Sequence, residues 1–346
     1  MKPRVRRLVV FAPNWLGDSV MALPAIADVR RAVPDASLVI AARPAIAPLF
    51  TLVPGIDDVV VLGAKRGRES FSGARQEKDS RPLFEVAILL PNSFQSALTA
   101  WRAGVPERWG YRTDWRGPLL TRAIEPLVGA HQVECYRHLI RALPLGDPSP
   151  VPYGDPSPVQ GQPTIVISEE LRAIGLDELK GAGWDGRRPL VALAPGAAYG
   201  GAKRWPAASF AGLARALADD GIQTVMVGGR ADLPVARAIE GAPGGDAVLN
   251  LMATDLPTLA GILAACRALV SNDSGAMHLA AALGVRVTAV FGPTDERRTR
   301  PAGDAHTVIT HRVWCRPCMM RECPIDHRCM QGIGVDRVAG AVRQML

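Results

Sequence analysis

Ser271–Asp295, SNDSGAMHLAAALGVRVTAVFGPTD, reads as the end of one strand, a polar turn, a helix and a second strand. The run before it, CRALVS from Cys266 to Ser271, is apolar until Asn272, Asp273, Ser274 and Gly275 interrupt it. Ser274 has the chemistry of an N-cap, because its hydroxyl can accept one of the orphan N–H groups of the next turn. Met277–Leu283 is a short Ala-rich helix, Gly284 stands where a left-handed residue ends it, and Val285–Phe291 is a second buried strand. The turn therefore presents backbone N–H groups at a helix N-terminus and at the carboxyl end of a strand. That arrangement suits a phosphate or pyrophosphate, and Gly275 lets a ligand approach the backbone closely. The same turn would also close any strand–helix–strand unit, so on these residues alone both readings stand.

Outward from this stretch the same alternation recurs. In the second half, Leu190–Ala194 and Thr224–Val227 read as strands and Ala247–Leu249 as a shorter one. Helices are expected over Ala207–Asp219 and Leu233–Glu240, and from a cap at Asp255 to Ala265 with Pro257 in its first turn. In the first half Leu8–Pro13 is a short apolar strand, followed by the polar turn NWLGDS (14–19) and a helical pattern over Val20–Val33. Pro24 predicts a kink or restart in that helix. Ser37–Ala42, Asp58–Leu62 and Phe84–Leu90 read as further strands, Ser93 as the cap of a helix to about Ala103, Arg108–Tyr111 as a short strand, and His131–Leu143 as helical. Residues 63–82 are polar, with six Lys/Arg against three Asp/Glu and no apolar period. They read as a loop longer than most connections, a length that goes with function or disorder. Residues 144–163 hold seven prolines and repeat GDPSPV at 146–151 and 154–159, the composition of a semi-rigid linker. Strand-then-helix units imply right-handed crossovers and parallel sheets. The expected fold class is α/β, with a domain over 1–150, a linker over 151–163, a second domain over 164–334 and a last helix over 335–346. Ligands in such folds meet the carboxyl ends of the strands, so a cleft between the domains is the expected site.

Composition narrows the function classes. The 346 residues are 48% hydrophobic and 21% charged, ordinary for a globular chain with two cores. No apolar run reaches the roughly 18 residues of a membrane span. The start, MKPRVRRLVVFAPNW, carries too short an apolar run for a signal peptide and no small-residue cleavage site, so a cytoplasmic location is expected. Net charge is +7, which suits nucleic acid, an anionic membrane face or a phosphorylated substrate. Aromatic residues are only 5% and no basic stripe is interleaved with them, which argues against nucleic acid. A dinucleotide dehydrogenase is disfavoured because no G-x-G-x-x-G follows the first strand.

Three separated motifs, NWLGDSVMALPAI (14–26), APGAAYGGAKRWP (194–206) and Ser271–Asp295, together resemble the bacterial ADP-heptose:lipopolysaccharide heptosyltransferases. The cysteine-rich segment from Trp314 resembles the heptosyltransferase II branch, which adds the second inner-core heptose. The resemblance implies a GT-B architecture: two Rossmann-like parallel-sheet domains facing a cleft, acceptor in the first and sugar nucleotide in the second, with a last helix over 335–346 of the kind that often crosses back to the first domain. It implies inverting transfer of L-glycero-D-manno-heptose from ADP-heptose to the heptosylated Kdo2-lipid A core, with no metal needed for catalysis. The enzyme would work peripherally at the cytoplasmic face of the inner membrane. Other readings are heptosyltransferase I or another ADP-heptose transferase, a sugar-nucleotide epimerase of similar build, or a metal-bearing binding module.

Inverting transfer needs a base on the acceptor hydroxyl and stabilisation of the departing diphosphate. Asp18 matches the family's catalytic Asp, and some desolvation would raise its basicity. Without the family it would read as a helix cap. Lys203 matches the family Lys that meets the leaving phosphate; the alternative is a solvated surface cation. Ala197, Ala198 and Gly200 precede it. Most relatives carry hydroxyl residues at about 197–198, so here only backbone groups are expected to bind. Ser274 and Gly275 are expected to donate N–H groups to the pyrophosphate, Asp273 to meet sugar hydroxyls, and His278 either to reach a phosphate or to be a core residue. Gly228, Gly229, Met252 and Thr254 are expected around the adenine and ribose, with Asp232 on the ribose.

Four of six cysteines, Cys315, Cys318, Cys323 and Cys329, fall in C-x2-C-x4-C-x5-C spacing with His327 among them. Three readings stand: a structural zinc, reduced structural thiols, and redox bonding. The spacing matches no standard zinc ribbon or finger.

Overall fold

The computed structural model describes residues 5–65, 68–71, 83–145 and 165–346. Contacts divide the chain into two units, Met1–Ile165 and Val166–Leu346. The linker expected over 151–163 lies outside the described residues.

In the first unit the strands are β1 (Arg7–Phe11), β2 (Ser37–Ala42), β3 (Asp58–Lys65), β4 (Arg68–Phe71), β5 (Val86–Leu89), β6 (Glu107–Tyr111) and β7 (Arg122–Ile124). Their order is β4-β3-β2-β1-β5-β6-β7. All pairs are parallel except the antiparallel β3–β4 ribbon. The helices are α1 (Leu16–Ala32), α2 (Ala47–Phe50), α3 (Phe94–Arg102) and α4 (Gln132–Arg141). Strands buried on both faces take near-continuous apolar sequences, as in RLVVF and VAIL. Val9 sits between Val39 and Ala87 in register. Phe11, Leu89, Ala97 and Ala100 close the core between sheet and α3.

Two expectations change here. Residues 63–65 and 68–71 are strand, not loop: β3 continues to Lys65 and pairs antiparallel with β4. The remainder of that loop, 66–67 and 72–82, lies outside the described residues. Helix α1 runs through Pro24 without a break. The Pro24 ring is itself buried, so packing against the sheet holds the helix where local chemistry alone would interrupt it. Asp28 on α1 is fully buried and meets Arg137 Nε on α4 at 2.9 Å, and Arg31 also pairs with it. Two buried charges are tolerated only when paired like this, and the pair fixes α1 against α4.

In the second unit the strands are β8 (Leu190–Ala194), β9 (Gln223–Gly228), β10 (Val248–Met252), β11 (Ala268–Asn272), β12 (Arg286–Phe291) and β13 (Thr307–Thr310). They form a parallel sheet in the order β10-β9-β8-β11-β12-β13. The helices are α5 (Glu169–Gly181), α6 (Ala207–Asp219), α7 (Leu233–Glu240), α8 (Leu256–Ala265), α9 (Gly275–Ala282), α10 (Glu296–Thr299), α11 (Arg328–Gln331) and α12 (Val335–Arg343). The last helix, for which a return to the first domain is one expectation, belongs to this unit. Its Val338, Ala339 and Val342 are in the core with Phe210, Leu213 and Leu217 of α6. Arg343 Nε also donates to Asp220 at 2.7 Å.

In each sheet the strand order reverses once, between β1 and β5 and between β8 and β11. The carboxyl ends of those strand pairs are the topological switch points where open α/β sheets bind ligands.

Candidate active site

The second unit's switch point is bounded by two loops. One follows β8 and runs through APGAAYGGAKRWP; the other follows β11 and leads through Asp273 into α9. Asn272 ties them together: its Oδ1 accepts from Trp205 N at 2.9 Å and its Nδ2 donates to Pro195 O at 2.7 Å. Trp205 anchors the first loop in the core, 1% exposed, with its indole N–H on Ile333 O at 2.9 Å. That anchor carries Lys203 into the crevice. Lys203 Nζ meets Asp273 Oδ2 at 2.6 Å, and Thr294 Oγ1 donates to the same oxygen at 2.7 Å. Lys203 Nζ also lies 4.7 Å from the Tyr199 ring centre, a cation–π contact. Lys203 is thus a held cation at the mouth of the sheet rather than a solvated surface group. Asp273, expected on sugar hydroxyls, is seen here as the partner of Lys203.

Ser274 is the N-cap residue of α9, but its side chain does not cap the helix. Its Oγ lies 2.9 Å from Ser271 Oγ, which in turn donates to Asn272 O at 2.7 Å. In place of capping the helix, the Ser274 hydroxyl is turned to the buried Ser271 hydroxyl. The first turn of α9, opening on Gly275, therefore has no side-chain cap, and its N–H groups point from a positive helix end. His278 is buried in this helix, 5% exposed, and Gly284 ends it with φ +78°.

Beside this crevice the Asp232 carboxylate lies against the backbone ends of β8 and β9. A Cβ on Gly196 would be 2.3 Å from it, and Gly229 N donates to its Oδ2 at 3.1 Å. Met252 packs over Gly228, where a Cβ would meet its methyl at 2.7 Å. Ala253 takes φ 66° and donates to Gly228 O at 2.8 Å. This bend buries the Thr254 hydroxyl with no protein partner. Gly228, Gly229, Asp232, Met252 and Thr254 thus gather at one corner. Ala197 is buried and Ala198 exposed. Gly200 is explained differently: a Cβ there would be 2.2 Å from Arg321 O, so its bareness admits the cysteine-rich segment.

In the first unit Asp18 is in the first turn of α1, just past the carboxyl end of β1, and half-buried. The N-cap position belongs to Trp15, so Asp18 is not the capping residue. Ser19 pins the turn by donating to Pro13 O at 2.9 Å. Tyr136 of α4 is buried close by. Burial first, and then the Asp18 charge, push its phenol well above the usual range.

Reading the sequence misses Thr294, Asn272 and Tyr199 as parts of the site. Thr294 and Asn272 lie inside the motifs that drew attention, but a lone hydroxyl or amide carries no signal until its partner is placed. The four cysteines Cys315, Cys318, Cys323 and Cys329 line one small cavity together with Ala202 and His327.

Two parallel sheets, each with its own switch point, and a Lys–Asp pair beside an open helix N-terminus are the features of a sugar-nucleotide transferase of GT-B type. The profile of Glycosyltransferase family 9 (heptosyltransferase) matches residues 80–328, and the chain belongs to that family. It is 29% identical over 316 residues to lipopolysaccharide heptosyltransferase 2 of Escherichia coli, covering 88% of this chain and 87% of the relative. It is 27% identical over 333 residues to lipopolysaccharide heptosyltransferase 1 of Pseudomonas aeruginosa, covering 92% and 87%. Among solved structures it is similar to E. coli ADP-heptose lipopolysaccharide heptosyltransferase II, with TM-score 0.78, 27% identity and 98% of each chain covered. It also has the fold of a family 9 glycosyltransferase from Veillonella parvula, with TM-score 0.80 over 100% of this chain and 98% of that one, at 23% identity. Family membership displaces the epimerase and binding-module readings.

Proposed function

We propose that the chain transfers heptose from ADP-heptose to a heptosylated Kdo2-lipid A acceptor, as the second heptose of the lipopolysaccharide inner core. The observation that carries this reading is the Lys203–Asp273 pair beside the open N-terminus of α9. A departing ADP builds charge on its β-phosphate. A cation held in place and oriented N–H groups stabilise that charge without reorganising. Lys203 faces the β-phosphate, with Asp273 and Thr294 setting its position. Gly275 and the first turn of α9 take the pyrophosphate oxygens. Asp273 offers its second oxygen, Oδ1, to a sugar hydroxyl. The corner of Gly228, Asp232, Met252 and Thr254 takes the nucleoside, with the Asp232 carboxylate on the ribose.

Asp18 is the base that removes the acceptor proton as the hydroxyl attacks the anomeric carbon. Its place at the carboxyl end of β1 and its nearness to the buried Tyr136 support this role. The enzyme works at the cytoplasmic face of the inner membrane and needs no metal for the transfer itself.

The experiment is to incubate the protein with ADP-heptose and heptosylated Kdo2-lipid A and to follow both ADP and the mass of the lipid. The expected result is one ADP released per heptose gained. ADP-heptose turned over with the lipid mass unchanged would refute the reading. Asp18→Asn should lower turnover by roughly 10²–10⁴-fold while donor binding, followed by calorimetry, persists. Turnover near wild type would remove Asp18 from the mechanism.

A further inference from the structure

The segment from Trp314 to Gln331 does more than decorate the second unit. It forms the wall behind the Lys203 loop. Ala202 N donates to Arg321 O at 2.9 Å, Gly201 N to Glu322 Oε1 at 2.8 Å, and Tyr199 Oη to Met319 O at 2.7 Å. His327 Nε2 lies 2.6 Å from Ala202 O. At its other end Arg316 donates to Gly292 O at 2.5 Å and Thr294 O at 3.2 Å, beside the hydroxyl that holds Asp273. Yet the segment has little apolar core of its own. Trp314, Met319, Met320 and Ile325 are exposed, and only Cys329 and Met330 at its end are buried. Something other than hydrophobic burial must hold it.

We infer that Cys315, Cys318, Cys323 and Cys329 form a site for one thiophilic divalent cation, zinc by ligand chemistry, which fixes this wall against the Lys203 loop. All four cysteines line one small cavity and none is in a disulfide. The first two have the C-x2-C spacing that lets one turn supply two ligands. The residue after that pair, Met319, takes φ 55°, and His327, two before Cys329, takes φ 56°. Left-handed non-glycine residues persist where surroundings dictate them. Cys323 Sγ accepts the His327 N–H at 3.3 Å, and the Arg328 guanidinium lies near Cys315 and Cys323. A bound cation draws the four sulfurs together, and each thiol that ligates gives its proton to solvent. Among the described residues no His, Cys, Asp or Glu cluster is already set to hold an ion. The exposed Cys318 and Cys323 swing in as the ion binds. Four sulfurs select zinc over magnesium or calcium.

The site itself does not depend on the substrate; only its effect on turnover rests on the transferase reading. The test uses the full chain, with metal content measured by mass spectrometry and with the metal-free protein titrated with Co²⁺. Expected are one zinc per chain and, with cobalt, a thiolate-to-metal charge-transfer band. Metal should also protect the four thiols from a thiol reagent. Cobalt binding without that band, or thiols equally reactive with and without added zinc, would overturn the site. Cys318→Ser/Cys323→Ser should abolish the stoichiometric metal. The wild-type titration decides the matter if that variant fails to fold. In the transfer assay, removing metal should lower kcat by at least tenfold, and restoring it should recover the rate. Unchanged kcat would overturn the coupling to Lys203. Metal bound with no transfer under any condition would leave the site standing and sink the transferase reading instead.

Discussion

At the scale of single residues, the chemistry of the second unit depends on how firmly Lys203 is held. Its ammonium has a carboxylate at 2.6 Å, and that carboxylate has a hydroxyl at 2.7 Å. Lys203→Ala should cost about 2–4 kcal/mol of transition-state stabilisation, read as a fall in kcat at saturating donor. Thr294→Val removes one hydrogen bond to the held pair and should cost about 0.5–1.5 kcal/mol. If the two substitutions had equal effects, Thr294 would be acting on substrate and not through Asp273. Lys203 and Asp273 were both legible in the sequence as members of recurring motifs, but their partnership was not. A residue pair 70 positions apart becomes visible only when β8 and β11 are neighbours. Thr294 was hidden for the same reason. Ser274 departs from the expected cap because capping preference is a local rule, and its hydroxyl is turned instead to the buried hydroxyl of Ser271.

Elements were easier to read than their contacts. Continuous apolar runs announced the strands β1, β2, β5, β8, β9, β11 and β12, since burial on both faces leaves no polar alternation to confuse with a surface. The short β7 and β13 and the amphipathic α5 carry weaker patterns and escaped notice. So did β4, whose sequence RESF has no apolar period. Helix α5 packs on α8 through two glycines. A Cβ on Gly175 would come within 2.4 Å of the Gly261 backbone. Gly175→Ala should therefore force the helices apart and destabilise this unit by about 1–3 kcal/mol in chemical denaturation, despite Ala being the better helix former. A neutral or stabilising result would mean that α5 shifts freely. A second test concerns β12. Val287 N donates to His306 Nδ1 at 3.2 Å, so Nε2 carries the proton toward Ala302 O at 3.0 Å. Burial lowers the His306 pKa from 6.5. The contribution is therefore complete above the unfolded-state value and is lost as pH falls below it through the folded-state value. Thermal stability should drop over that acid range, and less so in His306→Gln; parallel pH profiles for the two proteins would exclude this contact as the cause.

For the whole molecule, two α/β units were implied by the repeated strand–helix order and by the prolines between them. The structure bears out the α/β class, and the family assignment agrees with the motifs. No helix among the described residues is long and apolar enough to cross a membrane, while the net charge is +7. If that charge serves a lipid acceptor, the protein should sediment with anionic vesicles at low salt and be released as salt rises. Equal binding to neutral vesicles, or none to either, would assign the charge elsewhere. The indole of Trp205 hangs on Ile333, and Ala202 hangs on Arg321. Residues that emerge from the ribosome more than a hundred positions after the KRWP stretch therefore complete its support. A nascent chain stalled before residue 314 would hold every group assigned to the chemistry and still lack the scaffold that aims them.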